Sequence, residues 1–531
     1  MRYDCIVVGA GASGAPLAAR LSEDPRRIVL LLEAGPVPSS TEAYPSELLN
    51  SGTVQGAIPG HPHNWSLMGH LTPDLPYTIA RGRILGGSTA ISGTYFIRAP
   101  KQDFDRWSAE GNVEWTWDKV LPFYKKLEND LHYGESGGHG RTGPMTVSLP
   151  PQDHPVTKAF AQAAKELGFP MEPDKNSEED EPGYGPMPSN SIGGLRINTG
   201  MAYINPVRDR PNLTVEGSSY VRRVLFEGTR AVAVEVLRDG QIITIEANEI
   251  VLCAGAVKTP HILLLSGLGP ETELDRFLIP VIKHLPGVGK NFSDHPNRAI
   301  GWRTKVPLID YGTTQSMATV LNFTGSGSPR SGDLEILPLL KPMDYLLTGS
   351  HPGVRNGSQN PSKALHHGDL AFLVSLQAAT SRGQITLESA DPAVQPRIDF
   401  NYFATESDLK GMREGVRTGV RMLRSNAFSP IFQELTELTE PILQNDRLLN
   451  HWMRSRLGTA IHLCGSAKFG SPNDAESVVD QHGRVHGVKG LRVADTSILP
   501  TAPTPGPAAT AVLIGERMAE FIRGQGDAGG H

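Results

Sequence analysis

The sequence predicts an α/β protein of two domains, a Rossmann-like dinucleotide-binding domain joined to a second domain built on an antiparallel sheet. Three observations carry that reading. The chain opens on a strand, a glycine-rich turn, a helix and a second strand; residues 213–251 alternate short apolar runs with turns; and the C-terminal part returns to a buried strand followed by a long helix.

The 531 residues, 57 of them Gly and 42 Pro, suffice for two or three domains with a large core. With 39% hydrophobic and 20% charged residues the composition is that of an ordinary globular protein. The balance of 50 Lys and Arg against 56 Asp and Glu offers no broad basic surface, which argues against a nucleic-acid partner. Cys5, Cys253 and Cys464 are far apart, without Cys-x-x-Cys or Cys/His spacing, so neither a disulfide framework nor a metal site is expected. Isolated reduced thiols, no apolar stretch of about 20 residues and no leader-like N-terminus point to a cytoplasmic protein, with peripheral contact to a membrane left open.

Element by element, Cys5–Val8 reads as a buried strand, residues 9–14 as its turn, Ala15–Leu21 as a helix and Ile28–Leu32 as the next strand. The turn is Gly9-Ala10-Gly11-Ala12-Ser13-Gly14. Gly9 permits the tight bend, Gly11 admits a pyrophosphate close to the backbone, and Gly14 lets helix and strand approach. Phosphates would sit at the helix N-terminus, where unpaired N–H groups and the helix dipole favour anions. Glu33, at the end of the second strand, can accept hydrogen bonds from a ribose. Residues 103–129, with Trp107, Trp115 and Trp117, read as helices around a turn. The acidic stretch 178–181 reads as a solvated loop. Residues 213–251 form a meander closing on a fully apolar strand at 250–254, and a helix follows through Leu265. The middle third, about 300–453, carries loop-like stretches at 325–332 and 350–362. Leu491–Asp495 is a strand ending in a carboxylate, Ala508–Ile522 an amphipathic helix, and the tail from Gly524 frays.

Four separated segments resemble the glucose–methanol–choline (GMC) flavoprotein oxidoreductases. They are the N-terminal turn with Glu33-Ala34-Gly35; Gly82-Arg83-Ile-Leu-Gly86-Gly87-Ser88-Thr89-Ala-Ile-Ser92-Gly93, running on to Tyr95, Arg98 and Asp105; Gly255 to Gly269; and His462-Leu-Cys-Gly465-Ser466 with Gly490 to Asp495. Smaller echoes lie at 285–291, at Asp294-His295-Pro296 and at 381–383. The resemblance implies FAD on the dinucleotide fold and oxidation of an alcohol by hydride transfer to the flavin. It assigns 1–152, 196–302 and 455–531 to the FAD-binding domain, and 153–195 and 303–454 to the substrate-binding domain. The expected cofactor contacts are Gly9, Gly11, Ala12, Ser13, Gly14, Glu33, Ala34, Arg83, Gly86, Gly87, Ser88, Ser92, Gly93, Val221 at the adenine, Ala254, Gly255, Asp495, Pro507 and Ala508. Arg83 pairs with phosphate or braces its loop.

An alcohol losing hydride needs a group to take its hydroxyl proton, and imidazole titrates in the right range. Of 17 histidines, the resemblance places His462 in that role. His295 reads as a structural hydrogen-bonding residue, His482 and His486 as exposed, and Cys464 as packing. Three departures from the family pattern stand out. Ser92 replaces the usual Asn. Ala508 stands where relatives carry a second His or Asn. Ile91 occupies the position where choline-oxidising relatives attach FAD through His, so the flavin is expected to be non-covalent. The missing polar partner argues against glucose or choline as substrate. The proline-rich terminal turn and the Ser92 variant are similar to mycofactocin-associated GMC dehydrogenases, whose substrate is a reduced redox cofactor. A hydroxynitrile-lyase-like enzyme with redox-silent FAD is the alternative reading. Electrons are expected to pass to oxygen, a quinone or a respiratory carrier, the acceptor being open.

Overall fold

The computed structural model describes residues 2–178, 181–308, 316–350 and 369–526. The expected loops at 178–181 and 350–362 and the tail from 524 fall wholly or partly outside these residues. In chain order the elements that build the site are β1 (Tyr3–Val8), α1 (Gly14–Leu21), β2 (Val29–Leu32), β3 (Leu213–Glu216), β4 (Tyr220–Glu227), β5 (Arg230–Arg238), β6 (Gln241–Leu252) and α2 (Gly255–Leu265). They continue with β7 (Pro296–Thr304), β8 (Thr319–Phe323), β9 (Leu334–Pro338), β10 (Leu370–Leu376), α3 (Glu406–Leu423), β11 (Leu491–Val493) and α4 (Ala508–Gly526).

The first sheet runs β3-β2-β1-β6 in parallel, and β11 pairs in parallel with the far side of β6. Cys5–Val8 and Val29–Leu32 are buried without alternation, as strands covered on both faces must be. β6 serves two sheets. Its first half alternates in exposure and pairs antiparallel with β5, while Ile250–Leu252 is fully buried between β1 and β11. β3 leaves the expected meander: it lies beside β2, with Leu213 opposite Val29, so only β4, β5 and β6 form the antiparallel ribbon.

The second sheet runs Phe432–Leu435, β7, β10, β9, β8 and Tyr184–Pro186, all antiparallel, with α3 packed on it. Here the expected domain boundary at 302 is corrected. β7 crosses that point as one continuous strand, and its partners are β10, Phe432–Leu435 and Gly458–Thr459, so residues 296–302 and 458–459 belong to the antiparallel sheet. The short apolar alternation of β7 gives no clue to its sheet, because partner choice is settled by long-range pairing. Each sheet has its own apolar core, and Ile461 packs against both. No helix among the described residues is long and apolar enough to cross a membrane.

Candidate active site

A cavity of about 400 Å³ runs from the carboxyl ends of β1 and β2 to the junction of the two cores. At its dinucleotide end α1 begins without a side-chain cap, because the Ser13 hydroxyl donates to the Ala511 carbonyl (2.6 Å). The positive end of the α1 dipole is thereby directed at the cavity, whose wall here is Gly11, Ala12 and Ser13. The two glycine-rich loops meet here: a Cβ on Gly87, whose φ is +53°, would stand 2.7 Å from the Gly11 Cα. Glu33 accepts from the Ala10 N–H (3.0 Å) and the Gly35 N–H (2.9 Å). Burial pushes its carboxyl up to about 7 against those donors and the Arg83 charge, a cost that further hydroxyl donors would offset. Asp495 accepts from the Gly255 N–H (2.9 Å) and the Thr259 hydroxyl (2.6 Å), and burial raises it as well. A side chain on Gly255 would project into open space within the cavity. An anion-seeking helix end, a deep carboxylate for hydroxyls and glycine-lined walls fit a dinucleotide.

Of the residues expected at the cofactor, Gly9, Gly11, Ala12, Ser13, Glu33 and Ala34 line the cavity from the first βαβ unit. Gly87, Ser88, Ser92 and Gly93 line it from the second loop, Val221, Ala254 and Gly255 from β4 and the β6–α2 turn, and Asp495, Pro507 and Ala508 from the C-terminal part. Three do not line it. Gly14 packs against the Gly9 backbone and the Cys253 side chain. Gly86, with φ +94°, packs against Asn198. Arg83 is exposed, with its guanidinium 4.8 Å from the Trp65 ring centroid.

The second loop is braced by a residue that sequence reasoning passed over. Arg196 is fully buried and donates to the carbonyls of Ser92 (2.9 Å), Ala90, Leu48 and Thr53. Burial lowers it to about 10. Lys258 and Trp65 were also unforeseen. The Lys258 ammonium lies 4.9 Å from the Trp65 ring centroid at the cavity wall, lowered to about 8 by burial and by the Arg83 charge.

His462 lines the opposite end. Its backbone N–H donates to Asp294 Oδ1 (2.7 Å), and Thr459 donates to Asp294 Oδ2 (3.0 Å). The preceding residue, Ile461, is held at φ +62°, a left-handed conformation that is strained for a β-branched side chain. Arg81 secures it by donating to the Ile461 carbonyl (2.8 Å). The ring of His462 is set by packing: a Cβ on Gly506 would fall 3.0 Å from Cε1 and 3.1 Å from Nε2. Burial, then the nearby His295 and the Arg81 charge, hold His462 well below the usual imidazole range. Burial likewise pushes Asp294 up to about 6. His295 is buried against His462, the two Nδ1 atoms 2.9 Å apart and the rings edge to face. His295 is the hydrogen-bonding residue that its Asp-His-Pro setting suggests, but nothing local in the sequence reveals that 295 and 462 meet.

At the expected site of a second polar partner the structure has the N-terminal turn of α4, with Pro507 and Ala508 in the wall. The turn before it is anchored where Thr504 donates through its N–H (2.6 Å) and hydroxyl (2.9 Å) to buried Asp103. His482 and His486 are not exposed as expected. His482 packs edge-on against Phe521 of α4 with centroids 4.6 Å apart, and His486 pairs with Ser477 (3.1 Å). All three cysteines are free and buried.

A parallel sheet with a dinucleotide cavity at its carboxyl edge, opening onto an antiparallel domain beside a half-buried histidine, defines a protein of the dinucleotide-fold class. The comparisons make the family specific. The GMC oxidoreductase profiles match residues 3–297 and 379–515, and the chain belongs to that family. It is 40% identical over 523 residues to a GMC-type oxidoreductase from the thcA 5′ region of Rhodococcus erythropolis, covering 98% of both chains. It is 33% identical over 546 residues to mitochondrial choline dehydrogenase of Mus musculus, covering 98% of this chain and 89% of that one. Pyridoxine 4-oxidase of Mesorbium loti superposes with a TM-score of 0.88 at 26% identity, over 98% of this chain and 99% of its own. The chain is thus a GMC-family oxidoreductase, and FAD is the cofactor typical of that family.

Proposed function

We propose that the protein oxidises an uncharged primary or secondary alcohol, with His462 as the general base. The observation that carries the reading is a half-buried imidazole on the same cavity as the two dinucleotide loops, with Nδ1 engaged and the Cε1–Nε2 edge against Gly506. FAD bound along 9–14, 33–34, 87–93, 254–255 and 495 would supply the hydride acceptor. The protein's own part is to hold the alcohol against His462 and take its hydroxyl proton at Nε2. A neutral imidazole accepts that proton without first losing one, so its depressed pKa keeps the base in its working form.

The lining bears on substrate class. Val54, Ala57, Ile91, Ile461, Leu463 and Pro507 contribute apolar surface around the histidine. Among the described lining residues the carboxylates Glu33 and Asp495 lie at the dinucleotide end, and Glu335 is turned away behind Tyr95, whose hydroxyl donates to it (2.8 Å). No carboxylate there meets a choline-like cation. Choline and pyridoxine belong to the relatives' names; for this chain an apolar or aromatic alcohol fits better. Ile91 offers no nucleophile for a covalent flavin link, which supports dissociable FAD. Anaerobic titration of the FAD-loaded protein with an alcohol panel, followed by oxygen or a quinone, tests the reading. Bleaching by apolar alcohols supports it, and the faster acceptor separates oxidase from dehydrogenase. Cyanohydrin cleavage with an unchanged flavin spectrum would replace it with the lyase reading.

A further inference from the structure

We infer that His295 is the positioning residue that selects the working tautomer of His462, taking over a task for which Ala508 has no side chain. The inference rests on His462 being the base. The two Nδ1 atoms are 2.9 Å apart, so one ring must donate and the other accept. His295 is buried, 1% exposed, and the backbone carbonyls of Gln377 and Pro503 act on its ring. With Nδ1 committed to His462, the edge left to face them is Nε2, which is buried and makes no hydrogen bond to a described residue. A buried nitrogen facing carbonyl oxygens is favoured when it carries the proton, because two lone pairs would otherwise oppose each other in a dry site. His295 therefore keeps its proton at Nε2 and accepts at Nδ1. His462 must then hold its proton at Nδ1, donating to His295, and Nε2 is left with a free lone pair on the cavity side. The opposite arrangement would leave His462 protonated at Nε2 and unable to take a proton there.

Sequence neighbours reinforce the geometry. Asp294 accepts the backbone N–H of both His295 (2.6 Å) and His462 (2.7 Å), locking the two backbones together. The titratable groups around the pair are Asp294, Arg81 and Cys464, with Tyr95 across Gly506. None of them reaches His462 Nδ1. As an uncharged acceptor, His295 orients the ring without the upward pull on its pKa that a carboxylate would exert.

The test compares His295→Asn, whose amide oxygen can accept near the Nδ1 position, with His295→Leu, which cannot. Both are prepared as FAD-loaded enzymes, with flavin content, thermal midpoint, substrate Kd and anaerobic reduction rate measured across pH. His295→Leu should slow reduction by about 10²-fold with Kd nearly unchanged, and His295→Asn should recover most of that loss. The acid limb of the Asn variant should stay with that of the wild type. Equal losses in the two variants, or a wild-type rate in the Leu variant, would overturn the inference. If the Leu variant does not fold, the Asn variant decides alone: a loss as deep as that of His462→Ala overturns the inference, and a rate within about tenfold of wild type supports it. Should His462→Ala itself reduce normally, the base assignment falls; should it be slow while His295→Leu is fast, only this inference falls.

Discussion

Two histidine sites in this molecule are pushed in opposite directions by their surroundings. His462 and His295 touch each other, backed by one carboxyl that is spent on backbone N–H groups, and burial drives both down, His295 to about 3. His139 is buried too, yet it is bracketed by Glu128 (3.1 Å), Asp130 (3.4 Å) and Asp174 (2.9 Å). Burial alone would lower it too, but Asp130, Asp174 and Glu128 outweigh that and raise it to about 11. Arg98, paired with Glu128, completes a buried ionic network and ties it to Gly138 and Asn176. Burial sets the cost of charge, and the neighbouring carboxylates decide whether the charge is kept. One environment disfavours the protonated ring and the other favours it.

The sharpest way to separate them is to remove each ring. His462→Ala should slow anaerobic flavin reduction by about 10² to 10⁴ while leaving the fold and FAD content intact. Reduction at the wild-type rate would remove His462 from the mechanism. His139→Gln should do the converse. Breaking a buried ion network by deleting one partner costs about 3–5 kcal/mol, so the denaturant midpoint should fall while the reduction rate of the folded enzyme is kept. A midpoint unchanged from wild type would mean the network is not built around a charged ring.

Titration sharpens the contrast further. His139 has a folded pKa above its unfolded value, so its stabilisation is complete below about pH 6.5 and fades as pH rises towards about 11. The midpoint difference between wild type and His139→Gln should therefore be larger at pH 6 than at pH 10. His462 and His295 have folded pKa values below their unfolded ones. They are neutral when folded and protonate only on unfolding below about pH 6.5, so they erode stability as pH falls. For the same reason the acid limb of kcat/KM should lie below the ordinary imidazole range, and a limb near 6.5 would place the working base in a more polar setting.

The smallest effect expected is at the glycine beside the base. A methyl group from Gly506→Ala would press on His462 from 3.0 Å and on Tyr95 from 3.3 Å, and should lower kcat/KM about tenfold through displaced geometry. An unaltered kcat/KM would show that the alcohol does not use that space.

Much of the dinucleotide end was legible from residues because its parts are local. A strand, a turn of defined glycines and a helix start lie within 14 residues of each other, and a carboxylate caps the next strand. Gly14, Gly86 and Arg83 were read as contacts because motif position does not tell a residue facing a ligand from one supporting its neighbour. The catalytic end was legible only as one histidine. Arg81, Asp294 and His295 reach it from 167 to 380 residues away in the chain, and each belongs to a stretch that is unremarkable by periodicity.

By itself, the sequence determined the class of fold and, through its family resemblance, named the candidate cofactor loops and the candidate base, since these depend on backbone conformations and residue types encoded over short spans. Tertiary structure alone decided that β7 belongs to the antiparallel sheet, that Arg83 turns outward, and that the partner of His462 is His295 rather than a residue at 508. It also decided which histidine has its proton affinity lowered and which has it raised. Strand pairing and proton affinity both depend on groups brought together across the chain, and the free energy of a proton on an imidazole is set by its surroundings after folding.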